Sequence, residues 1–401
     1  MLLDNATLWI GDGSKIDGHL TFAEGRIVDV QRGRYRQAPM ANDIVPSQVI
    51  DLQGMALSPG LIDPFFCGGF GLSVVHDDLE EIGRRYVRIG VTGYVVAIGC
   101  LPWELTEQSA AHVRAAQSNI ASDSAAVLGW YAEGPFMLPH CSGISSREYV
   151  LPPSDANVDR LLESTRDVLT TVNVSPGTEG DVDAVQRLHD AGCTVSMAHS
   201  DARAERVLAC VDAGTTLLGH AWDNNQGSVT GLGIPTPTLE HVALLDDRIR
   251  FIHLICDNVH VHPLFIKLLL RCRGVGTICL ASDTLPRAGC PDGPFTWNDG
   301  RQFVKRNGAC FDQQGNLAGS AMLLPDQWRN FVKLTGLPPH EAIETVTGNV
   351  ARSLGIDDRV GLLAPGRTAD LVLWDGHLRP QRIWRNGCEL DSVDPFAETS
   401  Q

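Results

Sequence analysis

The sequence predicts an α/β fold, a (β/α)8 TIM-like barrel with a small β-sandwich built from both chain termini. Between residues 57 and 281, eight apolar runs alternate with stretches long enough for a helix and its loops. Gly90, Gly192 and Gly214 each follow a helix-like phrase just before such a run, where a helix end favours a residue without Cβ. Toward both termini only short strand-like segments and turns occur.

The eight runs are rich in β-branched and aliphatic residues, as strands buried on both faces should be. They are Leu57–Phe66, Gly93–Gly99, Val127–Ala132, Leu169–Val174, Thr194–Ala198, Thr215–Gly219, Arg250–Cys256 and Gly276–Ala281. An open doubly wound sheet is the main alternative fold. We favour the barrel because no GxGxxG motif follows the first run.

The two ends of the chain predict a second, smaller domain. Short strands are expected within residues 6–52 and 370–390, with a hairpin turn at Asn386-Gly387. Pro339–Leu354 has helical spacing, and Ala38–Ser47 is expected to be a loop. The expected division is a β-sandwich part at 1–56, the barrel at 57–357 and the second sandwich part at 358–401.

Composition argues for a cytoplasmic protein that acts on a small molecule. The formal net charge of −16 would repel a phosphate backbone, which argues against nucleic acid as a partner. No window is apolar enough for a membrane span, and Met1-Leu2-Leu3-Asp4-Asn5 does not resemble a signal peptide. The 11 cysteines form no metal-binding or disulfide pattern, so we expect most to be reduced core residues.

Four of the predicted strands end in a residue that can bind a metal or move a proton. Glu133, His199 and His220 follow runs three, five and six, and Asp283 follows run eight. Because the carboxyl ends of barrel strands converge on one mouth, these side chains can meet. Two imidazoles and one carboxylate suit Zn²⁺, and Fe²⁺ or Mn²⁺ could use them too. Asp283 would then be the general base that takes the proton of the attacking water.

Each of these residues also has a structural interpretation. A single strand-end histidine is more often a hydrogen-bonded structural group than a ligand, and Glu133 or Asp283 could cap a helix or a turn. It is the combination of four that favours the metal site. His260, just beyond strand seven, is a candidate substrate contact. His253, inside that strand, is expected to be packed and hydrogen-bonded, and His262 to lie on the surface.

At these residues the chain resembles the N-acetylglucosamine-6-phosphate deacetylases of the amidohydrolase superfamily, over nearly its whole length. Ser58-Pro59-Gly60-Leu61-Ile62-Asp63 and Pro365-Gly366-Arg367-Thr368-Ala369-Asp370 resemble superfamily motifs. The narrower motifs are Glu133-Gly134-Pro135, Ala198-His199-Ser200, His220, Ser282-Asp283, Asp257-Asn258-Val259-His260 and Leu317-Ala318-Gly319-Ser320. The resemblance implies the same metal ligands and catalytic aspartate, a sugar contact at His260, and a substrate-lining loop at Leu317, Ala318 and Gly319.

Departures from the family pattern concentrate in the substrate pocket. In the segment Ser142-Gly143-Ile144-Ser145, Ser145 stands where the family has its substrate-binding histidine, and Asp223-Asn224 replaces the usual Asn-Ala. The family arginine that grips the sugar phosphate should fall near Gly231, yet residues 221–240 contain no Arg or Lys. Arg287, beyond strand eight, is the nearest candidate for an anion contact, its structural interpretation being a solvated loop residue.

The first strand indicates a single metal ion. Most two-metal amidohydrolases carry His-x-His there, whereas this chain has Phe65-Phe66-Cys67, and Asn173 on strand four is not a lysine that could be carbamylated. Cys67 could be an auxiliary soft ligand, although a packed thiol is the simpler interpretation.

The predicted function is therefore metal-dependent hydrolysis of the N-acetyl amide of an amino sugar. The alternative is deacylation of an unphosphorylated N-acyl sugar or an N-acyl amino acid, which the altered pocket favours. A non-catalytic ligand-binding barrel is the third possibility. The expected partners are a small N-acetylated substrate and, from the resemblance, a second copy of the chain in a homodimer.

Overall fold

The computed structural model describes residues 1–36, 46–118, 121–225 and 234–391. In these ranges, eight parallel strands form one sheet in sequence order, with the first and last strands at its two edges. These barrel strands are Leu61–Phe66, Val91–Ile98, Ala126–Ala132, Leu169–Asn173, Thr194–Met197, Thr215–Leu218, Phe251–Leu254 and Ile278–Leu280. The predicted (β/α)8 barrel is confirmed.

Helices follow the barrel strands and cover the outside of the sheet. The eight that alternate with the strands are Leu79–Val87, Trp103–Ser118, Asp155–Thr165, Asp181–Asp190, Ala204–Asp212, Leu239–Leu245, Pro263–Arg273 and Leu324–Thr335. Pro339–Ala342 and Gly348–Ser353 are two further helices within the segment with helical spacing. Single 3₁₀ turns lie at Arg147–Tyr149, Val275–Thr277 and Ile343–Val346. None of the helices in the described ranges combines the length and apolarity needed to cross a membrane.

Alternation along the third strand shows how the core divides into two layers. The Trp130 ring packs outward, and its Nε1–H donates to Ser109 Oγ of the helix Trp103–Ser118 at 3.0 Å. The next residue, Tyr131, points into the barrel, where its hydroxyl lies 2.6 Å from Ser196 Oγ and its ring packs against Phe65. Successive strand residues face opposite sides of the sheet, so one strand supplies both layers.

Backbone and side-chain bonds at the strand ends draw the edges of the barrel together. The Asp283 N–H donates to the Phe65 carbonyl at 3.0 Å, and the Ser282 N–H donates to Asp63 Oδ1 at 3.2 Å. The catalytic candidate Asp283 is thus fixed to the first strand as well as to the eighth.

The chain ends form the small β domain as one mixed sheet. Its strands are Leu2–Trp9, Lys15–Ala23, Arg26–Arg32, Val49–Asp51, Ala56–Pro59, Leu371–Trp374, Pro380–Arg385 and Cys388–Glu389. The last two strands pair across Asn386-Gly387, which confirms the predicted hairpin. Residues 37–45, most of the expected loop at 38–47, lie outside the described ranges. The exact domain boundaries stay a prediction.

The prediction of one continuous first run, Leu57–Phe66, was wrong. The chain divides it at Gly60: Ala56–Pro59 pairs with Leu371–Trp374 of the terminal sheet, while Leu61–Phe66 enters the barrel. A Cβ at Gly60 would lie 2.1 Å from Thr92 Oγ1, so the crossing between the two sheets has no room for a side chain.

A small antiparallel sheet between the eighth strand and the helix Leu324–Thr335 was not predicted. Its strands are Gly293–Thr296, Gln302–Arg306, Ala309–Asp312 and Leu317–Ser320. A further two-stranded pair, Gly68–Gly69 with Leu72–Ser73, follows the first barrel strand. The antiparallel sheet brings Trp297, Ala318 and Gly319 to the mouth of the barrel.

Candidate active site

Glu133, His199 and His220 converge at the carboxyl end of the barrel. Glu133 Oε1 lies 2.9 Å from His199 Nε2 and 3.0 Å from His220 Nε2, and the two imidazole rings are 4.8 Å apart between centroids. All three side chains are largely buried. The predicted meeting of residues from strands three, five and six is therefore present in the fold.

The electrostatics of this group favour a cation between the three donors. Burial opposes ionisation of Glu133, yet its hydrogen bonds with His199 and His220 lower the pKa of the carboxyl well below its usual range. Burial likewise opposes a charged His220, but the hydrogen bond and charge of Glu133 raise the pKa of the imidazole to about 10. A buried carboxylate beside two imidazole nitrogens is a donor set suited to a divalent metal. The charge of the metal would replace that of the proton on His220. The residues present fit the metal that the fold implies.

The two histidines are oriented differently. His199 Nδ1 lies 2.8 Å from the Cys141 carbonyl oxygen, an acceptor that leaves Nε2 to face Glu133. His220 Nδ1 is buried and has no hydrogen-bond partner in the described parts of the chain, and Asp223 Oδ2 stands 3.9 Å from it. The Phe65 and His220 rings form a T-shaped pair, with 5.8 Å between centroids. An apolar side chain therefore lies where a first-strand ligand of a second metal would be needed.

Asp283 shares the pocket with the ligand group. Burial raises the pKa of its carboxyl, the positive charge of His220 lowers it, and the negative charge of Glu133 raises it again, giving about 7. A carboxyl with a pKa near neutrality can both take and return a proton. The Cys67 thiol lies 4.0 Å from Asp283 Oδ1, and burial raises its pKa well above the usual value. Cys67 therefore contacts the base and is not grouped with the three ligands.

His199 and Asp283 adopt left-handed backbone conformations, with φ of 54° and 48°. Non-glycine residues are uncommon there, and such strain, of order 1–3 kcal/mol each, concentrates at functional sites. These left-handed residues lie in the turns just after strands five and eight, and both side chains line the same pocket.

The pocket contains most of the residues that were expected to contact substrate. Its lining residues are Cys67, Gly99, Glu133, Ser142, Ile144, Ser145, His199, Asp223, Asn224, Asp283, Leu285, Trp297, Ala318 and Gly319. Trp297 was missed by sequence reasoning. The only available signal was a tryptophan within the turn-rich segment that follows strand eight.

Three expected substrate contacts lie elsewhere or are already engaged. The His260 side chain is fully buried, with Nδ1 2.7 Å from Asp257 Oδ2 and Nε2 2.6 Å from the Ala318 carbonyl. Burial opposes protonation of His260, but the Asp257 hydrogen bond and charge raise its pKa to about 9. Arg287 Nε donates to the Pro291 carbonyl at 3.0 Å, away from the pocket lining, and Leu317 lies at the exposed start of its strand.

The other histidines and cysteines partly follow expectation. His253 is packed inside the barrel as predicted, but the predicted hydrogen bond was wrong, since neither ring nitrogen has a partner in the described ranges. His262 is exposed and caps the helix Pro263–Arg273. All 11 cysteines are free and eight are buried, which confirms the prediction that most of them are core residues.

Comparison with known proteins places the chain in a family. The amidohydrolase family model matches residues 106–399. The chain is 32% identical over 347 residues to the N-acetylgalactosamine-6-phosphate deacetylase of Escherichia coli O157:H7, covering 86% of this chain and 90% of that protein. It is 28% identical to the N-acetylglucosamine-6-phosphate deacetylase of Vibrio furnissii, covering 86% of this chain and 84% of that protein.

Among solved structures, the N-acetylglucosamine-6-phosphate deacetylase of Pasteurella multocida has the same fold. It superposes with a TM-score of 0.86 at 22% sequence identity, over 97% of this chain and 99% of that one. The family-model match and the Escherichia coli relative together show that this chain belongs to the amidohydrolase family, in the group of its amino-sugar-6-phosphate deacetylases.

Proposed function

We propose that this protein is a metal-dependent deacetylase that hydrolyses the N-acetyl amide of an amino sugar. The observation that carries the proposal is the convergence of Glu133, His199 and His220. Glu133 and His199 line the same pocket as Asp283. Relatives named as N-acetylgalactosamine- and N-acetylglucosamine-6-phosphate deacetylases support the substrate class.

Each residue of the site has a role in the proposed reaction. A single divalent ion, for which we propose Zn²⁺, would be held by Glu133, His199 and His220 and would supply Lewis acidity toward the amide carbonyl and the attacking water. Asp283 takes a proton from that water and returns it to the departing amine nitrogen, as its pKa of about 7 permits. Ser145, Asn224 and Trp297 line the space where the sugar would lie.

His260 acts on the pocket through the loop that it holds. Its Nε2 lies 2.6 Å from the Ala318 carbonyl, and Ala318 and Gly319 form part of the pocket wall. We assign His260 the role of fixing this wall, with direct substrate contact as the further role that the family resemblance implies.

The test of the proposal is release of acetate and free amine from N-acetylglucosamine-6-phosphate and N-acetylgalactosamine-6-phosphate. Activity should disappear on chelation and return with a divalent metal. Asp283→Asn should lower kcat by about 10²–10⁴-fold, the range for loss of a general base, while metal content stays unchanged. Near-normal turnover of this variant would contradict the assignment of the base.

A second candidate, deacylation of an unphosphorylated N-acyl sugar or N-acyl amino acid, is favoured by the charges around the pocket. The lining contains the carboxyl groups of Glu133, Asp223 and Asp283 and, within the described residues, no Arg or Lys. At the rim, the Arg301 guanidinium is paired with Asp299 and donates to the Ile144 carbonyl. A phosphate dianion held without a cation would lose the strong charge-assisted bonds that usually bind it.

Parallel kcat/KM measurements on phosphorylated and plain N-acetylhexosamines separate the two candidates. A preference for the plain sugar, or for an N-acetyl amino acid, favours the second. A preference for the phosphate supports the first and would call for a cation from outside the described pocket lining, such as one from a second copy in the expected homodimer. Sedimentation of the active enzyme tests that dimer.

A further inference from the structure

A second group of metal-binding side chains lies beside the active site. His140 and Cys141 belong to the loop after the third barrel strand, and Asp201 belongs to the segment after the fifth. His140 Nε2 is 3.0 Å from Asp201 Oδ2, and one donor atom from each residue lies within 4.8 Å of the other two. These distances are short enough for one ion to contact all three.

The donor types select for a soft or borderline metal. An imidazole nitrogen, a thiolate sulfur and a carboxylate oxygen suit Zn²⁺ or Co²⁺ and disfavour Mg²⁺ and Ca²⁺, which prefer oxygen ligands only. His140 and Asp201 already share a hydrogen bond, so an ion would replace the proton between them. Cys141 is buried while the His140 and Asp201 side chains are 55% and 41% exposed, which leaves an open side for entry and for water as a fourth ligand.

We propose that His140, Cys141 and Asp201 form a second, outer metal site for a thiophilic divalent cation such as Zn²⁺. This site shares no ligand with Glu133, His199 and His220. It is nevertheless joined to them, because the Cys141 carbonyl is the acceptor that orients His199 and Asp201 is the second residue after His199. An ion bound there would link the loop after strand three to the segment after strand five. These two segments together position His199 of the central site.

The test is metal stoichiometry of the full chain after equilibrium dialysis against Zn²⁺. We expect two equivalents per chain in the wild type and one in both Cys141→Ser and Asp201→Asn. The matched control is Cys67→Ser, which removes the thiol beside Asp283 and should keep two equivalents. Circular dichroism of each variant establishes that it folds, and because Asp201 is partly exposed, Asp201→Asn provides a second test if Cys141→Ser does not fold.

Substitution with Co²⁺ identifies the ligand. The outer site should give a sulfur-to-cobalt charge-transfer band in the near ultraviolet that Cys67→Ser retains and Cys141→Ser loses. One equivalent of metal in the wild type, or a band that survives Cys141→Ser, would overturn the proposal. The measurement needs no turnover, so its outcome is independent of whether the chain deacetylates amino sugars.

Discussion

At the residue scale, the two central histidines differ in what supports them. His199 Nδ1 lies within hydrogen-bond distance of the Cys141 carbonyl oxygen. His220 Nδ1 is buried, and the nearby Asp223 Oδ2 lies 3.9 Å from it. Metal-binding histidines commonly donate their second N–H to a carboxylate or a carbonyl, which fixes the ring and strengthens the ligand. Asp223 is the acidic side chain beside His220 Nδ1, and we expect its carboxylate to give His220 this support.

Asp223→Asn is therefore expected to weaken binding of the central metal by about 10–100-fold, the usual effect of removing such a support. Competition with a chromophoric chelator measures the affinity directly. Asp247→Asn, which alters a fully exposed carboxylate, is the control and should leave the affinity unchanged. An unchanged affinity in Asp223→Asn would show that Asp223 serves only the substrate pocket.

His253 predicts a pH dependence of stability. Burial, with a smaller effect from the charge of His220, lowers the pKa of His253 to about 3 in the folded protein, against about 6.5 for an unperturbed histidine. Between these two values the unfolded chain binds a proton that the native state does not. Stability contributed by neutral His253 is therefore complete above pH 6.5 and is lost as the pH falls toward 3.

Urea unfolding of the metal-saturated protein measures this contribution. The range from about pH 4.5 to about pH 6.5 lies within the interval between the two pKa values. The free energy of unfolding should fall on acidification less steeply in His253→Leu than in the wild type. The difference in slope should approach 1.4 kcal/mol per pH unit, the value for one proton. Parallel slopes for the two proteins would mean that His253 is protonated in the native state.

How far the sequence predicts single residues depends on whether the backbone alone fixes their place. Glu133, His199, His220 and Asp283 were predicted to meet because the carboxyl ends of barrel strands always face one mouth. The absent partners of His253 and the approach of Asp223 to His220 could not be predicted, since both depend on side-chain rotamers.

At the element scale, the helix Leu324–Thr335 fastens the ends of two strands through one side chain. Gln327 is fully buried: its Nε2 donates to the Ser282 carbonyl at 2.7 Å, and its Oε1 accepts from the Cys256 N–H at 2.7 Å. Ser282 directly precedes the catalytic candidate Asp283. The helix therefore supports the end of strand eight as well as covering it.

Gln327→Leu should cost about 2–6 kcal/mol of stability, because two buried backbone groups lose their partners at about 1–3 kcal/mol each. Urea unfolding gives the loss, and kcat should also fall if the turn at Asp283 loosens. Gln186→Ala, at an exposed helix position, is the matched control and should stay within about 0.5 kcal/mol of the wild type. A similar small effect for Gln327→Leu would mean that water replaces the amide.

Secondary-structure elements were predicted best where the sequence has a continuous run of apolar residues. The buried runs identified the barrel, whereas the antiparallel strands between Gly293 and Ser320 are short and lie among turn residues, so they gave no comparable signal. The split at Gly60 escaped prediction because both halves of Leu57–Phe66 are apolar, and only tertiary pairing assigns them to different sheets.

At the scale of the whole molecule, the buried guanidinium of Arg385 joins the β domain to the barrel. Arg385 Nη1 donates to Asp370 Oδ1 at 2.9 Å within the terminal sheet, and Arg385 Nε donates to the Ser124 carbonyl, just before the third barrel strand, at 3.0 Å. Both charged side chains are buried. The Arg385 guanidinium thus attaches the carboxyl-terminal strands to the barrel, and its buried charge is balanced by Asp370.

Arg385→Met should destabilise the protein by about 3–5 kcal/mol, since it leaves the Asp370 carboxylate buried without its cation. The double variant Arg385→Met with Asp370→Asn should recover part of that loss, because the unpaired charge is then removed. Urea unfolding of the three proteins gives both values. A loss below about 1 kcal/mol for Arg385→Met would place the pair in the class of exposed ion pairs and would leave apolar packing as the attachment between the two parts of the chain.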